Sequence, residues 1–264
     1  MPVKLKIKPL IDNEVTDKNY YEDHMYTTNS MLKTFLDKCP KFFEWRMEYP
    51  IKATAPMKFG TAFHMYALEG LDVFQKNYAV EPDGVDRRTT LGKATLSSFN
   101  QTVGNRNVIS FKDYKLIQDM CHELQLHNHY SLVKECNELE QIYLWENKTL
   151  KIKCKGKLDA VNTKEKYIVD LKTTRSANPK DFVDIVREQK YHMQAAYYCD
   201  ALGYKDYYIY AVEKIKPHCI CVYKMSDELL QEGREMYTKA IKSFKIHSKS
   251  NEDFDYNSGQ IYEI

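Results

Sequence analysis

Near residue 140 the hydrophobic period of this sequence changes from that of a helix to that of a strand, which confines the chain to a mixed α/β fold. Upstream, Thr27-Thr28-Asn29-Ser30 offers capping oxygens ahead of Leu32, Phe35, Leu36 and Cys39, spaced three and four apart, and Pro40 opens a second short turn. A helix over 57–69 carries Phe59, Ala62, Phe63, Tyr66 and Ala67 on its apolar side and meets Gly70 as a stop. Ser110 and Asp113 form a capping box ahead of Tyr114, Ile117, Met120, Cys121 and Leu124. The glycine-punctuated polar stretch 81–107, with Arg87, Arg88 and Lys93, reads as a surface loop.

Downstream, 140–145, 150–154, 156–162 and 167–172 alternate or run β-branched and aromatic, which predicts a meander of strands. Pro179 starts a helix through Phe182, Ile185 and Val186, and a second helix over 191–202 closes at Gly203. Strands at 207–212 and 219–224 then lead to Ser226 and a long helix through Leu230, Tyr237, Ile241 and Phe244. The expected organisation is one domain over 1–264. Residues 28–137 form a mainly helical wall, 138–246 a sheet-and-helix core, and 247–264 a polar tail.

Composition narrows the function classes. Only 9 glycines and 8 prolines among 264 residues, with 13% aromatics, argue against disorder. No apolar run reaches the ~18 residues of a spanning helix, and the lysine-interrupted start builds no secretory signal, so a cytoplasmic protein without membrane partners is expected. Seven cysteines without a CxxC pair disfavour a disulfide framework and a cysteine-ligated zinc or iron–sulfur centre. A net charge of +2 leaves any polyanion site to local clusters.

The chemistry concentrates in Tyr167-Ile168-Val169-Asp170-Leu171-Lys172. A period of two puts Asp170 and Lys172 on one face, beside Ile168. Gly156-Lys157-Leu158-Asp159 lies on a strand joined by the short polar connection 162–165, so the two strands should be antiparallel neighbours and Asp159 and Asp170 could share a cation. Two aspartates with room for water and a phosphate suit Mg²⁺, and the lysine can orient or deprotonate an attacking water. An isolated acid–lysine pair is as readily a surface ion pair worth ~0–1 kcal/mol; here the lysine interrupts an apolar strand.

Five segments occur in a telling order. Ser30-Met31-Leu32 through Cys39-Pro40 and Phe43, Phe59-Gly60-Thr61-Ala62-Phe63-His64, Gly156-Lys157-Leu158-Asp159, Val169-Asp170-Leu171-Lys172-Thr173-Thr174 and Gln194-Ala195-Ala196-Tyr197-Tyr198 together resemble the RecB-like branch of the PD-(D/E)XK nucleases, over residues 28–244. Residues 86–93 and 212–217 further resemble RecE-type phage and prophage exonucleases. The resemblance implies a restriction-endonuclease-like α/β core with a mixed, mostly antiparallel sheet flanked by helices. It also implies metal ligation by His64, Asp159, Asp170, the Leu171 carbonyl and Glu140, with catalytic work by Lys172, Asp170, Asp159, Gln194 and Tyr198. Gln194 and Tyr198, one helical turn apart, would brace the lysine or the DNA. His64 alone could equally be a satisfied helical histidine, and Tyr198 a core residue. Leu158-Asp159 stands where the superfamily name has proline-aspartate, and the cysteine cluster of the iron–sulfur members is absent.

The implied activity is Mg²⁺-dependent hydrolysis of DNA, with Mn²⁺ as a substitute and two ions in the site. It would run 5′ to 3′ from double-stranded ends and leave single strands for recombination by annealing. Implied partners are duplex ends, further copies of the chain in a ring and a RecT-like annealing protein, in a bacterial or phage-infected cell. A structure-specific or single-strand nuclease of the same branch, and a non-catalytic DNA-binding module, are the alternatives. Lys151, Lys153, Lys155 and Lys157 recur at period two on what reads as one wet face. That row, with Arg87, Arg88 and Lys93, is either solvated surface or a phosphate track.

Overall fold

A computed structural model of the chain describes residues 8–9, 20, 26–49, 52–247 and 256. The expected polar tail falls outside these, apart from His247 and Tyr256.

The helical half opens with α1 (Asn29–Asp37), capped by the Thr28 hydroxyl, which accepts the Met31 N–H at 3.1 Å, and α2 (Pro40–Glu48), begun by its proline. Next, α3 (Ala55–His64) runs directly into a five-residue π-helical turn, Met65–Glu69, which Gly70 stops at φ 86°. The helix expected over 57–69 therefore starts earlier and changes pitch immediately after His64, a widening of the kind that recurs at functional positions. There follow α4 (Leu71–Asn77) and β2 (Tyr78–Val80), then α5 (Thr90–Val103) and β3 (Asn107–Ile109), which pairs parallel with β2. After these come α6 (Phe111–Leu126) and α7 (Ser131–Lys134).

The segment 81–107 is thus no continuous loop. The Thr89 hydroxyl caps α5 by accepting the Gly92 N–H at 3.0 Å. Gly92 is the only buried residue of α5, so the helix has no apolar stripe that a periodic reading could detect. A side chain at Gly92 would collide with the Asp86 carbonyl.

The main sheet runs β1 (Lys8–Pro9), β4 (Glu138–Asn147), β5 (Ile152–Asn162), β6 (Tyr167–Thr174), β7 (Asp206–Glu213) and β8 (Ile220–Lys224), neighbours in that order. Only β6 and β7 pair in parallel, and the crossover between them holds α8 (Pro179–Glu188) and α9 (Tyr191–Leu202). The chain continues into α10 (Asp227–His247), which packs on α9 where Gly233 meets the His192 carbonyl. The two strands read at 150–154 and 156–162 are one, β5.

Each face of the sheet carries its own core. Ile168, Ile209 and Ala211 pack with α8, α9 and α10, whereas Val169, Leu171, Tyr210 and Val212 pack with α3 and α6. The alternation inverts at one place. Leu158 and Val161 join the first core but Ala160 the second, and on β4 Tyr143 and Trp145 join the first while Leu139 lies against the second. Leu139 pairs with Ala160 and Gln141 with Leu158, so register is kept while Glu140 and Asp159 drop out of the pairing together. All seven cysteines are free thiols, five of them buried. No helix among the described residues is long and apolar enough to cross a membrane.

Candidate active site

Glu140 has φ 51°, in the left-handed region that a non-glycine residue enters at a cost. With its backbone turned this way, and Asp159 opposite it outside the ladder, both acids reach the end of α3. His64 Nδ1 lies 3.5 Å from Asp159 Oδ1 and 3.6 Å from Glu140 Oε1. Its Nε2–H donates to the Leu171 carbonyl at 2.8 Å, and the Leu171 N–H donates to Asp159 Oδ2 at 2.9 Å. Both ends of this central residue of β6 are therefore committed, and its carbonyl, which the resemblance offers to a metal, is engaged by His64. Glu140 Oε2 meets Lys157 Nζ at 2.9 Å.

Asp170 lies beside this trio among different partners. Lys172 Nζ is 2.8 Å from Asp170 Oδ1 and 2.7 Å from Oδ2, and the Gln194 amide donates to Oδ1 at 2.6 Å. Gln194 also donates to the Tyr207 hydroxyl at 3.1 Å, and Lys172 stands 5.0 Å from the centre of the Tyr191 ring. Gln194 thus braces the acid rather than the lysine. Three of these partners were not legible in the sequence: Lys157 on Glu140, Tyr191 beside Lys172, and Tyr207 on Gln194. Lys157 stood in the lysine row, and the aromatics carry no motif that separates them from core tyrosines.

The electrostatics follow from burial and proximity. Burial opposes charge on His64, but Asp159 and Glu140 outweigh it and lift the imidazole to about 10. Burial likewise raises Asp159, yet His64, Lys172 and the Leu171 amide hold it down at about 2. Burial and the charge of Asp159 push Asp170 upward against the pull of Lys172. The lysine is disfavoured by burial but held well above its ordinary value by Asp170 and Asp159, so it is a fixed cation. That suits stabilising negative charge and orienting water more than taking a proton.

His64, Glu140 and Asp159 offer one imidazole nitrogen and two carboxylate oxygens, all within 4.8 Å of one another. Glu140 Oε1 is buried and has no hydrogen-bond partner, and two acids opposite each other across a ladder repel. Both features fit a divalent cation.

Tyr198 is buried with its ring against Gly156, where a β-carbon would strike it. The glycine of one motif therefore makes room for the tyrosine of another. The lysine row is not uniformly wet: Lys155 is 2% exposed, donates to the Tyr20 carbonyl at 2.6 Å and lies 4.9 Å from the centre of the Tyr20 ring, whereas Lys151 is exposed. Lys153 remains exposed beside the Tyr26 ring. Arg87 is held by both oxygens of Glu81 at 2.7 Å, Arg88 by Asp86 at 3.0 Å, and Lys93 is exposed in the first turn of α5.

A family model described as a PDDEXK-like domain of unknown function (DUF3799) matches residues 28–261. The chain belongs to this family. None of the curated proteins matches the DUF3799 chain. Among solved structures, one described as a "Putative exonuclease" from Eubacterium rectale is similar at 19% identity with a TM-score of 0.63, covering 90% of this chain and 89% of that chain. At that identity the likeness shows the fold. A second, of SSO0001, aligns at 16% identity over 72% of this chain and 86% of that chain with a TM-score of 0.32, and carries no argument. The PDDEXK-like domain, with an acid–lysine pair beside a trio of potential metal ligands, supports a nuclease.

Proposed function

We propose that this DUF3799 protein is a Mg²⁺- or Mn²⁺-dependent DNA exonuclease that digests double-stranded ends from 5′ to 3′. The observation that carries the hydrolytic reading is the juxtaposition of the His64–Glu140–Asp159 trio with the Asp170–Lys172 pair on adjoining strands. His64, Glu140 and Asp159 would hold a divalent ion, which would supply charge for the phosphate oxygens and acidify bound water. The chain's own residues do the rest. Lys172, fixed as a cation, neutralises charge developing on the phosphate, and Gln194 and Tyr207 keep Asp170 in place beside it. Polarity, preference for duplex ends, a role in recombination, assembly as a ring and delivery of single strands to a RecT-like partner are carried by the resemblance to RecE-type enzymes.

The test is incubation with 5′-labelled linear duplex, 3′-labelled duplex, single strands and closed circles, with Mg²⁺, Mn²⁺ or EDTA, alongside light scattering. Label release from 5′ duplex ends, metal dependence, resistant circles and a defined multimer are expected. Cleavage of circles or of single strands alone would replace the exonuclease reading with that of a structure-specific or single-strand nuclease.

A further inference from the structure

We infer that Lys33 and Lys190, to which the resemblance gives no role, form a docking site for a nucleotide phosphate beside Lys172. The inference rests on the nuclease reading and deepens it by naming how substrate is held.

Position is the first ground. Lys33, on α1, donates to the main-chain carbonyl of Gln189 at 3.0 Å and approaches its Oε1 at 3.4 Å. This ties α1 to the turn between α8 and α9. The same turn continues through Lys190, in the left-handed region at φ 54°, to Tyr191 under Lys172 and Gln194 on Asp170. Two further ammonium groups therefore stand on, or against, the segment that holds the catalytic pair.

Charge is the second ground. Lys190 is paired with Asp37, and Lys172 with Asp170. The hydrogen-bond partners of Lys33 are both neutral oxygens. Asp37, the one carboxylate that acts on Lys33 among the described residues, is thus already paired with Lys190. Burial pushes the Lys33 ammonium down, Asp37 opposes, and repulsion from Lys190 and Lys172 adds to the depression. A tether to a carbonyl needs only a neutral donor, so a half-buried surplus cation is costly unless an anion completes it. A phosphate brings that charge with several acceptor oxygens, and lysines bind it as flexible point charges. The anion could belong to the bound strand or to a released mononucleotide.

Lys33→Gln keeps a donor for the Gln189 carbonyl and removes the charge; Lys190→Gln and the conservative Lys33→Arg accompany it, with circular dichroism to confirm folding. Duplex binding is measured by fluorescence anisotropy in Ca²⁺ between about 50 and 200 mM salt, with thymidine 5′-monophosphate as a competitor. Expected for Lys33→Gln is binding about tenfold weaker at the low-salt end and a log–log salt slope shallower by about 0.9, the share of one phosphate contact. KM should rise by more than kcat falls, and Lys33→Arg should restore both. A changed slope assigns the site to the strand; an unchanged slope with Lys33-dependent competition by the mononucleotide assigns it to the product. Wild-type protein that cleaves nothing yet binds duplex with a Lys33-dependent slope overturns the nuclease reading and leaves the phosphate site standing. Active wild-type protein matched by Lys33→Gln and Lys190→Gln in slope, competition and KM overturns the site alone.

Discussion

Glu140 and Asp159 face each other at the only position where β4 and β5 lose their pairing, and both turn toward His64. Because each strand gives up one residue at the same level, register is preserved on either side while two acids leave the ladder. In the metal-free protein the protonated His64 and Lys157 offset these like charges, and a divalent ion between the acids would take over that role. Glu140→Gln should therefore weaken Mn²⁺ binding, measured by isothermal titration calorimetry, by on the order of tenfold or more, since affinity follows the number of charged ligands. Undiminished affinity would remove Glu140 from the centre.

Lys172→Met should lower kcat by about 10²–10³ while duplex affinity in Ca²⁺ stays close to that of wild type, because the lost cation acts on charge that develops in the transition state. Gln194→Leu should cost less, since Lys172 still holds Asp170 when the amide is gone. Single-turnover rates separate the two. A Lys172 variant within tenfold of wild type would refute the assignment.

His64 links the site to pH in metal-free protein. Its folded value of about 10 lies above the ~6.5 of an unfolded imidazole, so its stabilisation is complete below pH 6.5, declines as pH rises and is lost above about 10. In EDTA, the difference in Tm between wild type and His64→Gln should shrink steadily from pH 6.5 to 10. Calorimetry that finds a constant or widening gap would show that the imidazole is not held charged. Activity of His64→Gln should be strongly reduced while the chain stays folded.

Much of this arrangement was legible because it obeys simple periods. Asp170 and Lys172 share a face by the alternation of β6, and Gln194 and Tyr198 share one by the turn of α9. The capping chemistry of Thr28 and Ser110, and the proline at 179, marked helix starts that the structure places within a residue or two. What escaped depends on long-range packing or on broken periods. The helix α5 lacks an apolar stripe, and Lys155 is buried against Tyr20, from far along the chain. The inversion at Glu140 and Asp159 moves Ala160 to the opposite core from Leu158, with neither glycine nor proline to announce it. That same break made the shared cation of Asp159 and Asp170 look simpler than the structure has it. Asp159 turns to His64 and Glu140, while Asp170 is held by Lys172 and Gln194.

The contact between Gly156 and Tyr198 yields the last prediction. A methyl group at Gly156 would meet the tyrosine ring, which is buried and cannot swing into solvent. Gly156→Ala should therefore cost about 1–3 kcal/mol, the range for overpacking a filled core, read from chemical denaturation. It should also depress cleavage, since displacing Tyr198 moves α9, which carries Gln194 one turn away on to Asp170. Tyr198→Leu opens the space, so the double variant should be no less stable than Tyr198→Leu alone, a coupling that a double-mutant cycle measures directly. Additive losses would mean that Gly156 is required for its backbone and not for the ring it accommodates.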